Sequence, residues 1–322
     1  MKKIVQIALI SCMLLTLVAG CSTSTGKAEE TTVRIGTQPW IGYGPWWIAQ
    51  EKGLFEKYGL KAELVDFVED KEVNAAFASG DMQAANIATH TAIKLYTTGL
   101  DLKVVLLEDV STSADAIMAD SSISSVADLK GKQVAYEEGT TSDLLLNYAL
   151  SQNGMTLADI TPVPMPASDA GTSLLTGNVP AAVTYEPYIS EVTKENSDIK
   201  VIYKAGERPG LISDVLVVNS KWAEKNPETV TKLLQVWEDA LAYYNSNPEE
   251  AQAIIAKAVG SAPEDLVTAF DGVKFYSASE NKTALNGDFA STIQDVASVA
   301  KNIGLIDSVP DLSKLVDPGY LK

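Results

Sequence analysis

Short apolar segments alternate with amphipathic ones along most of the chain. The apolar segments have the length and composition of strands. The predicted strands are Val33–Thr37, Ala62–Phe67, Ala84–Ala88, Lys103–Glu108, Ala114–Ala119, Gln133–Tyr136, Ala181–Tyr185, Lys200–Tyr203 and Asp214–Asn219. The segments between them predict helices over Pro45–Tyr58, Glu72–Gly80, Thr91–Thr98, Thr141–Gln152, Ala170–Gly177 and Ser190–Glu195. This alternation favours an α/β fold with mainly parallel sheets.

The pattern changes after Pro227, where strands become scarce and helical periodicity continues to the end of the chain. Proline stands near three of the predicted helix starts, where its missing N–H is not needed. The helices predicted in this part are Pro227–Asn245, Pro248–Val259, Pro263–Phe270 and Asp288–Ile303. The sequence therefore predicts a helical C-terminal part.

The first residues have the pattern of a secretory signal. A basic start, Met1–Lys3, precedes an apolar run, Ile4–Val18, that is short for a transmembrane helix. Leu17–Cys21 resembles the bacterial lipobox, which predicts cleavage after residue 20 and lipidation of Cys21. Residues 21–30 are small and polar and predict a flexible tether. Only two cysteines occur, and one lies in the predicted signal, so the mature chain forms no internal disulfide.

Composition sets limits on the partners of the folded part. The formal net charge is −17, and removal of residues 1–20, which carry two lysines and no acid, moves it to −19. A phosphate backbone requires a basic surface, so we expect no nucleic-acid partner. The 46% of hydrophobic residues is enough for a large buried core.

One turn is unusually rich in aromatic residues. Residues 37–47, which we call the aromatic turn, contain three of the five tryptophans, together with Tyr43 and two glycines. The turn follows a predicted strand and precedes a predicted helix. Such a turn can form one wall of a small-molecule site, although the tryptophans could also pack only between helix and strand.

Several motifs of the chain resemble those of a known family. Pro39–Pro45, Ala49–Phe55 and Ala75–Asp81 are similar to motifs of the nitrate, sulfonate, taurine and thiamine-pyrimidine-precursor binding proteins of ABC importers. The similarity continues through Asp128–Lys132, Gly139–Ser142 and Glu186-Pro187 and covers nearly all of the mature chain. It implies a two-lobed periplasmic binding protein fold of type II with two hinge crossings. It also implies a monomer that passes a small ligand to a permease and its ATPase, without catalysis and without a cofactor.

The resemblance places a ligand site in the cleft between the lobes. We expect residues 31–110 and 213–322 to form the first lobe and residues 111–212 the second. In an open α/β sheet the ligand lies beyond the carboxyl ends of the strands. The candidate ligand-binding residues at these positions are Trp40, Tyr43, Trp46, Trp47, His90, Glu137, Glu138, Thr140, Glu186 and Asp214.

The charge of the candidate loops favours a cationic ligand. They contain carboxylates and no lysine or arginine, whereas an oxyanion site uses basic side chains and a helix N-terminus. An aromatic wall opposite carboxylates suits a small, planar, nitrogen-rich cation, of which guanidinium matches best. The loops at His90, at residues 136–143, which we call the acidic turn, and at Asp214 also resemble the family branch linked to urea and guanidine use.

Other interpretations of the same residues stay open. The ligand could instead be an aliphatic sulfonate or taurine, nitrate or an aminopyrimidine. A remote alternative is an extracellular enzyme that uses Glu137 and Glu186 as paired carboxylates. Glu137 and Glu138 point to opposite faces of a strand, so we expect only one of them to contact the ligand. Asp143 could simply cap a helix, and His90 could be a buried helix-start residue. One histidine and one remaining cysteine predict no metal site and no thiol nucleophile.

Overall fold

The computed structural model describes residues 32–322, which form one compact unit. The predicted signal, the tether and Cys21 lie outside the described residues. The strands are β1 Thr32–Thr37, β2 Lys61–Asp66, β3 Ala84–Ala88, β4 Leu102–Ser111, β5 Asp115–Ala119, β6 Gln133–Tyr136, β7 Thr161–Pro164, β8 Ala181–Tyr185, β9 Lys200–Lys204, β10 Ser213–Asn219 and β11 Val273–Phe275.

Helices occupy most of the connections between these strands. They are α1 Gly44–Glu51, α2 Leu54–Lys57, α3 Asp70–Ser79, α4 Thr89–Thr97, α5 Thr141–Gln152, α6 Ala167–Leu175, α7 Tyr188–Glu195, α8 Ser220–Lys225, α9 Pro227–Ser246, α10 Pro248–Ala258, α11 Ala278–Ala284 and α12 Asp288–Asn302. Among residues 32–322, no helix has both the length and the apolar surface to cross a bilayer.

The strands form two separate sheets. The first has the order β11-β4-β10-β3-β1-β2 and the second β7-β6-β8-β5-β9. We call the parts built on them the first and the second lobe. Strands of the first sheet lie within residues 32–111 and 213–275, and those of the second within 115–204. The predicted lobe boundaries, at residues 110–111 and 212–213, stay a prediction.

The expectation of mainly parallel sheets was wrong. β1 runs parallel to β2 and β3, and β6 runs parallel to β7 and β8. The strands next to the lobe crossings run antiparallel to their neighbours: β10 pairs this way with β3 and β4, and β5 with β8 and β9. A strand that enters a sheet from the other lobe arrives without a local helical crossover, so it is free to run in the opposite direction.

The helix and strand predictions differ from the structure in four respects, one of which is that the helices α8 and α11 were not predicted. The helix predicted over Pro45–Tyr58 is broken at Gly53, whose φ of 66° no helix adopts and which glycine tolerates. The helix predicted over Pro263–Phe270 contains only a short 3-10 turn, Pro263–Asp265. The pattern also missed the edge strands β7 and β11, which are short and contain proline or border a turn.

Candidate functional site

A small enclosed cavity lies between the lobes at the strand ends. The parallel strands β1 and β2 end there, and β10, which runs the opposite way, begins there. In the second lobe, the parallel strands β6 and β8 end at the cavity, and β5, which runs the opposite way, begins there. The lining residues are Gln38, Trp40, Tyr43, Asp70 and Asp214 from the first lobe, and Asp115, Thr141 and Tyr185 from the second. All are buried, so the lobes enclose the cavity.

The space inside the cavity is small. The space open to the centre of a water molecule is about 10 Å³, which is roughly what a single water needs. Trp40 and Tyr185 meet edge to face across the cleft, with ring centroids 5.9 Å apart and an angle of 89° between the rings. The site therefore admits only a very small ligand without reopening.

Carboxylates hold the aromatic turn in place. The Trp40 indole Nε1–H donates to Asp109 Oδ2 at 3.1 Å, and the Tyr43 hydroxyl donates to Asp214 Oδ1 at 2.7 Å. Trp46 donates from Nε1 to Glu108 Oε1 at 2.6 Å. The three bonds orient the rings from behind the cavity.

A β-bulge allows two consecutive acids to serve the same turn. On β4, Asp109 pairs with Asp214 of β10, but the next pair is Leu107 with Val215, so Glu108 is the additional residue. Both Glu108 and Asp109 then reach an indole N–H. A methyl group at Gly42 would overlap Asp109 Oδ2 and Trp40 Nε1, so this close approach requires glycine.

The carboxyl groups at the cavity titrate far from their usual range. Burial raises the pKa of Asp115 to about 7, and burial also raises the pKa of Asp214 to about 7 although the Tyr43 hydrogen bond opposes it. The pKa values of Asp70 and Asp109 lie well above their usual range because of burial first and neighbouring carboxylates second. Removal of these groups from water thus makes their charged forms costly unless a cation compensates.

Apart from the hydroxyls of Thr141 and Tyr185, which can donate or accept, the free hydrogen-bonding positions of the lining are acceptors. Gln38 donates from Nε2 to Asp70 Oδ1 at 2.6 Å, which leaves its buried Oε1 without a donor. Asp115 Oδ2 is also buried without a donor. The N–H of Trp40 and the O–H of Tyr43 are already given to carboxylates. A ligand that only donates hydrogen bonds would satisfy this lining best.

The structure brings some of the predicted residues into the lining and not others. Trp40, Tyr43 and Asp214 line the cavity. Trp46 does not: it is fully buried between Phe55 and Trp237, at ring distances of 6.2 and 5.2 Å. Trp47 also lies outside the lining, with its N–H 3.4 Å from Asp66 Oδ1. Two of the three tryptophans therefore pack between helix and strand.

The predicted residues of the second lobe are mostly engaged in local bonds. Glu137 Oε2 accepts the N–H of Ala167, and Glu186 Oε2 accepts the N–H of Ser190, so each carboxylate stabilises the start of a helix. Thr140 donates from Oγ1 to the Glu137 carbonyl at 3.0 Å. Glu138 is exposed to solvent. None of the four lines the cavity.

His90 is buried at the start of α4 and also lies outside the lining. Burial, and then the charge of Lys94, lower its pKa to about 4. Its ring is therefore neutral at physiological pH. Among residues 32–322, no group of three or more histidine, cysteine, aspartate and glutamate side chains is placed to hold a metal ion.

The candidate set missed five lining residues: Gln38, Asp70, Asp115, Thr141 and Tyr185. Three of them are direct neighbours of predicted positions or lie within the aromatic turn, so a wider window at each strand end would have included them. Asp70 and Asp115 had a weaker signal, because Asp70 is one of three acids within residues 69–72 at the start of a helix and Asp115 is a single acid at the start of a strand. Only the pairing of the strands shows that they meet.

Comparison with known proteins gives related sequences. A family model described as "NMT1/THI5 like" matches residues 40–251. A relative from Bacillus subtilis (strain 168), named "Putative aliphatic sulfonates-binding protein", is 27% identical over 321 residues and covers 95% of this chain and 92% of its own length.

Solved structures share the fold. The periplasmic aliphatic sulphonate binding protein SsuA from Escherichia coli aligns with a TM-score of 0.74 at 24% identity, over 89% of this chain and 92% of its own. The periplasmic nitrate-binding protein NrtA from Synechocystis PCC 6803 aligns with a TM-score of 0.73 at 16% identity, over 91% and 87%. The predicted two-lobed periplasmic binding protein fold is thereby confirmed.

Proposed function

This chain belongs to the NMT1/THI5-like family, and from that premise we propose that it is the extracytoplasmic solute-binding protein of an ABC importer, with guanidinium or a close relative as its ligand. The names of its relatives support the transport role, since they are binding proteins. Those names do not support guanidinium. Taken alone, they favour the alternative ligands, the aliphatic sulfonates and nitrate.

The acidic lining of the cavity is the observation that carries the cation proposal. Asp70, Asp115 and Asp214 line the cavity, and no lysine or arginine is among the lining residues. The space of about one water molecule is smaller than guanidinium, so the lining must widen to hold this ligand. Guanidinium carries only donors and stays charged at any physiological pH. It would supply donors to Gln38 Oε1 and Asp115 Oδ2, and its charge would offset the cost of ionised buried carboxylates.

The aromatic lining supports the same ligand. The Trp40 and Tyr185 rings both border the cavity, so the lining offers aromatic surface to a planar ion. A tryptophan face attracts a desolvated cation by about 2 kcal/mol or less. We propose Trp40, Tyr185, Asp70, Asp115 and Asp214 as the ligand-binding residues.

A sulfonate or nitrate ligand would find few free hydrogen-bond donors in this cavity. An oxyanion needs free N–H or O–H donors, and those of Gln38, Trp40 and Tyr43 are all engaged by carboxylates. Thr141, at the start of α5, and Tyr185, at the end of β8, carry the two remaining hydroxyls of the lining. The enzyme alternative finds no support either, because Glu137 and Glu186 each accept a backbone N–H at a helix start.

We further propose that the chain is anchored by lipidation of Cys21, with residues 21–30 as the tether. The lipobox-like sequence Leu17–Cys21 supports this assignment. Metabolic labelling with a fatty acid would test it: the wild-type chain should be labelled and Cys21→Ser should not.

Calorimetric titration tests the ligand most directly. Nitrate is planar and trigonal like guanidinium but has the opposite charge, so the two ions separate charge from shape. We expect guanidinium to bind, and nitrate, methanesulfonate and taurine to give no heat at the same concentrations. Binding of any of these three without binding of guanidinium would reject the cation and leave the importer role in place.

A further inference from the structure

Asp70 occupies a special position among the carboxylates of the cavity. It stands at the start of α3 in the first lobe, far along the chain from both lobe crossings. Gln38 fixes it through the 2.6 Å bond from Nε2 to Oδ1. In the enclosed cavity it shares the lining with Asp115 of the second lobe and Asp214 of the first. No sequence motif distinguishes it from the other acids of the chain.

The second lobe presents acids to Asp70 from two elements. Asp115 begins β5 and has an oxygen without a donor, and Glu137 follows β6 with Oε1 buried and also without a donor. Burial, and then the charges of Glu137, Asp214 and Asp115, raise the pKa of Asp70 well above its usual value. The nearest lysine in sequence, Lys71, is exposed and pairs with Glu69, and its charge offsets only in part the rise in the pKa of Glu137 that burial causes. Closure of the lobes thus brings like charges together with no basic side chain in the lining between them.

Apolar packing joins the lobes, since Ala167 and Tyr185 of the second lobe lie in one buried cluster with Trp40 of the first, but such packing does not distinguish one ligand charge from another. The Trp40–Tyr185 contact is a single edge-to-face pair. Lys194 of α7 and Asp265 form an ion pair at 2.8 Å across the lobes, but the lysine side chain is 57% exposed. Exposed ion pairs of this kind contribute little. The charge balance inside the cavity therefore has a large part in whether the closed arrangement is favourable.

We propose that Asp70 is the specificity-determining residue that makes closure of the two lobes depend on a positively charged ligand. A cation between Asp70 and the second-lobe acids turns their repulsion into attraction, whereas an anion adds to it. A ligand shifts a conformational equilibrium only by its different affinity for the two states, and here the difference comes from charge. The inference rests on the proposed function for the sign of the ligand's charge.

Small-angle scattering of the purified protein tests this role through Asp70→Asn. The amide has the same shape and can still accept the Gln38 N–H, but it removes the charge that faces both second-lobe acids. We expect wild-type protein without ligand to be open and to shift to the closed profile with saturating guanidinium. Asp70→Asn should already have the closed profile without ligand and should lose the ligand-induced shift.

Glu108→Gln is the matched control. It also converts a buried first-lobe carboxylate to an amide, but Glu108 accepts the Trp46 N–H and does not line the cavity. This variant should stay open without ligand, as the wild type does. Glu137→Gln removes the opposing acid and should shift the ligand-free protein toward closure, which keeps the test decisive if Asp70→Asn does not fold.

Three outcomes would overturn the proposal: wild-type protein that is closed without ligand, folded Asp70→Asn that stays open, or Glu108→Gln that closes equally. The ligand-free comparison of variants does not depend on guanidinium. If guanidinium fails to bind the wild type, the proposed ligand fails, and the scattering of ligand-free Asp70→Asn against the closed arrangement of residues 32–322 still decides the role of Asp70.

Discussion

The aromatic turn and the acidic turn lie on opposite sides of the cavity and use their carboxylates differently. Behind the aromatic turn, Asp109 and Asp214 accept side-chain donors, from Trp40 and Tyr43. In the acidic turn, Asp143 Oδ2 accepts the Gly139 N–H at 2.8 Å, and Glu137 accepts a backbone N–H from α6. A carboxylate oxygen that accepts a backbone N–H is structural, whereas an oxygen without a donor, such as Glu137 Oε1, and a carboxylate held by a single side chain keep acceptor capacity.

The largest test of this difference compares Asp214→Asn with Asp143→Asn. The amide introduced by Asp214→Asn can still accept the Tyr43 hydroxyl, but it carries no charge into the cavity. Hydrogen bonds to charged groups contribute about 1.5–3 kcal/mol, so guanidinium affinity should fall about 10- to 100-fold. Asp143→Asn changes a side chain outside the lining and should change affinity by less than about threefold. Calorimetric titration measures both.

An equal loss of guanidinium affinity in the two variants would show that the net negative charge of the protein, and not the position of Asp214, attracts the ligand. Thermal unfolding is the control for folding. In Asp143→Asn the new amide oxygen can still accept the Gly139 N–H, but the 2.6 Å bond from Asn147 Nδ2 to the other carboxylate oxygen is lost. Loss of this bond costs about 1–3 kcal/mol, so Asp143→Asn should unfold several degrees below the wild type and Asp214→Asn closer to it.

The second test is the pH dependence of binding. The pKa values of Asp115 and Asp214 are raised to about 7 by burial, so both carboxyls are largely protonated at pH 5.5. A cation needs the ionised form, and below such a pKa each required proton release changes affinity about tenfold per pH unit. Guanidinium affinity should therefore rise about 25-fold from pH 5.5 to 7.5 for one released proton. Titration in buffers of different ionisation enthalpy counts the protons.

An anionic ligand would show the opposite slope, because protonated carboxyls repel it less. In residues 32–322 the charged groups that act on Asp115 are Asp214 and then Glu186, and Asp115 and Asp214 in turn raise the pKa values of Asp70 and Asp109; all are acids, so the sign is not reversed. The same raised pKa values stabilise the ligand-free fold fully below about pH 4, and this stabilisation is lost as the pH rises through about 7. Glu186, outside the lining, adds to this profile because burial also raises its pKa to about 7.

The sequence predicted the fold better than the site, and the reason is physical. Strand and helix periodicity is local, so β3, β6, β8 and α5 are predicted at their observed bounds. The acidic character of the site could also be predicted, because the candidate loops contain carboxylates and no lysine or arginine. The hydrogen-bond donor to each carboxylate could not be predicted from the sequence. Whether Glu137 faces a ligand or the Ala167 N–H depends on how α6 packs against β6.

The same limit applies to the tryptophans. Trp46 and Trp47 follow Tyr43, which lines the cavity, by three and four residues. The helix α1 nevertheless directs both tryptophans away from the cavity. The bulge at Glu108, which lets two consecutive acids hold Trp40 and Trp46, leaves no mark in the apolar pattern. Residue type identified the wall of the site, and only the three-dimensional arrangement identifies which ring belongs to it.

The smallest expected effect isolates that ring. Trp40→Phe and Trp40→Leu both lose the N–H to Asp109, but phenylalanine keeps an aromatic face toward the cavity. The difference between the two variants therefore reports the face alone. Cation–π attraction of about 0.5–2 kcal/mol predicts that the leucine variant binds guanidinium about 2- to 30-fold more weakly than the phenylalanine variant. The same pair of substitutions at Trp47, which is buried but outside the lining, should give equal affinities. If phenylalanine and leucine at position 40 bind equally, Trp40 shapes the cavity without attracting the cation, and the acids of the lining alone select the ligand.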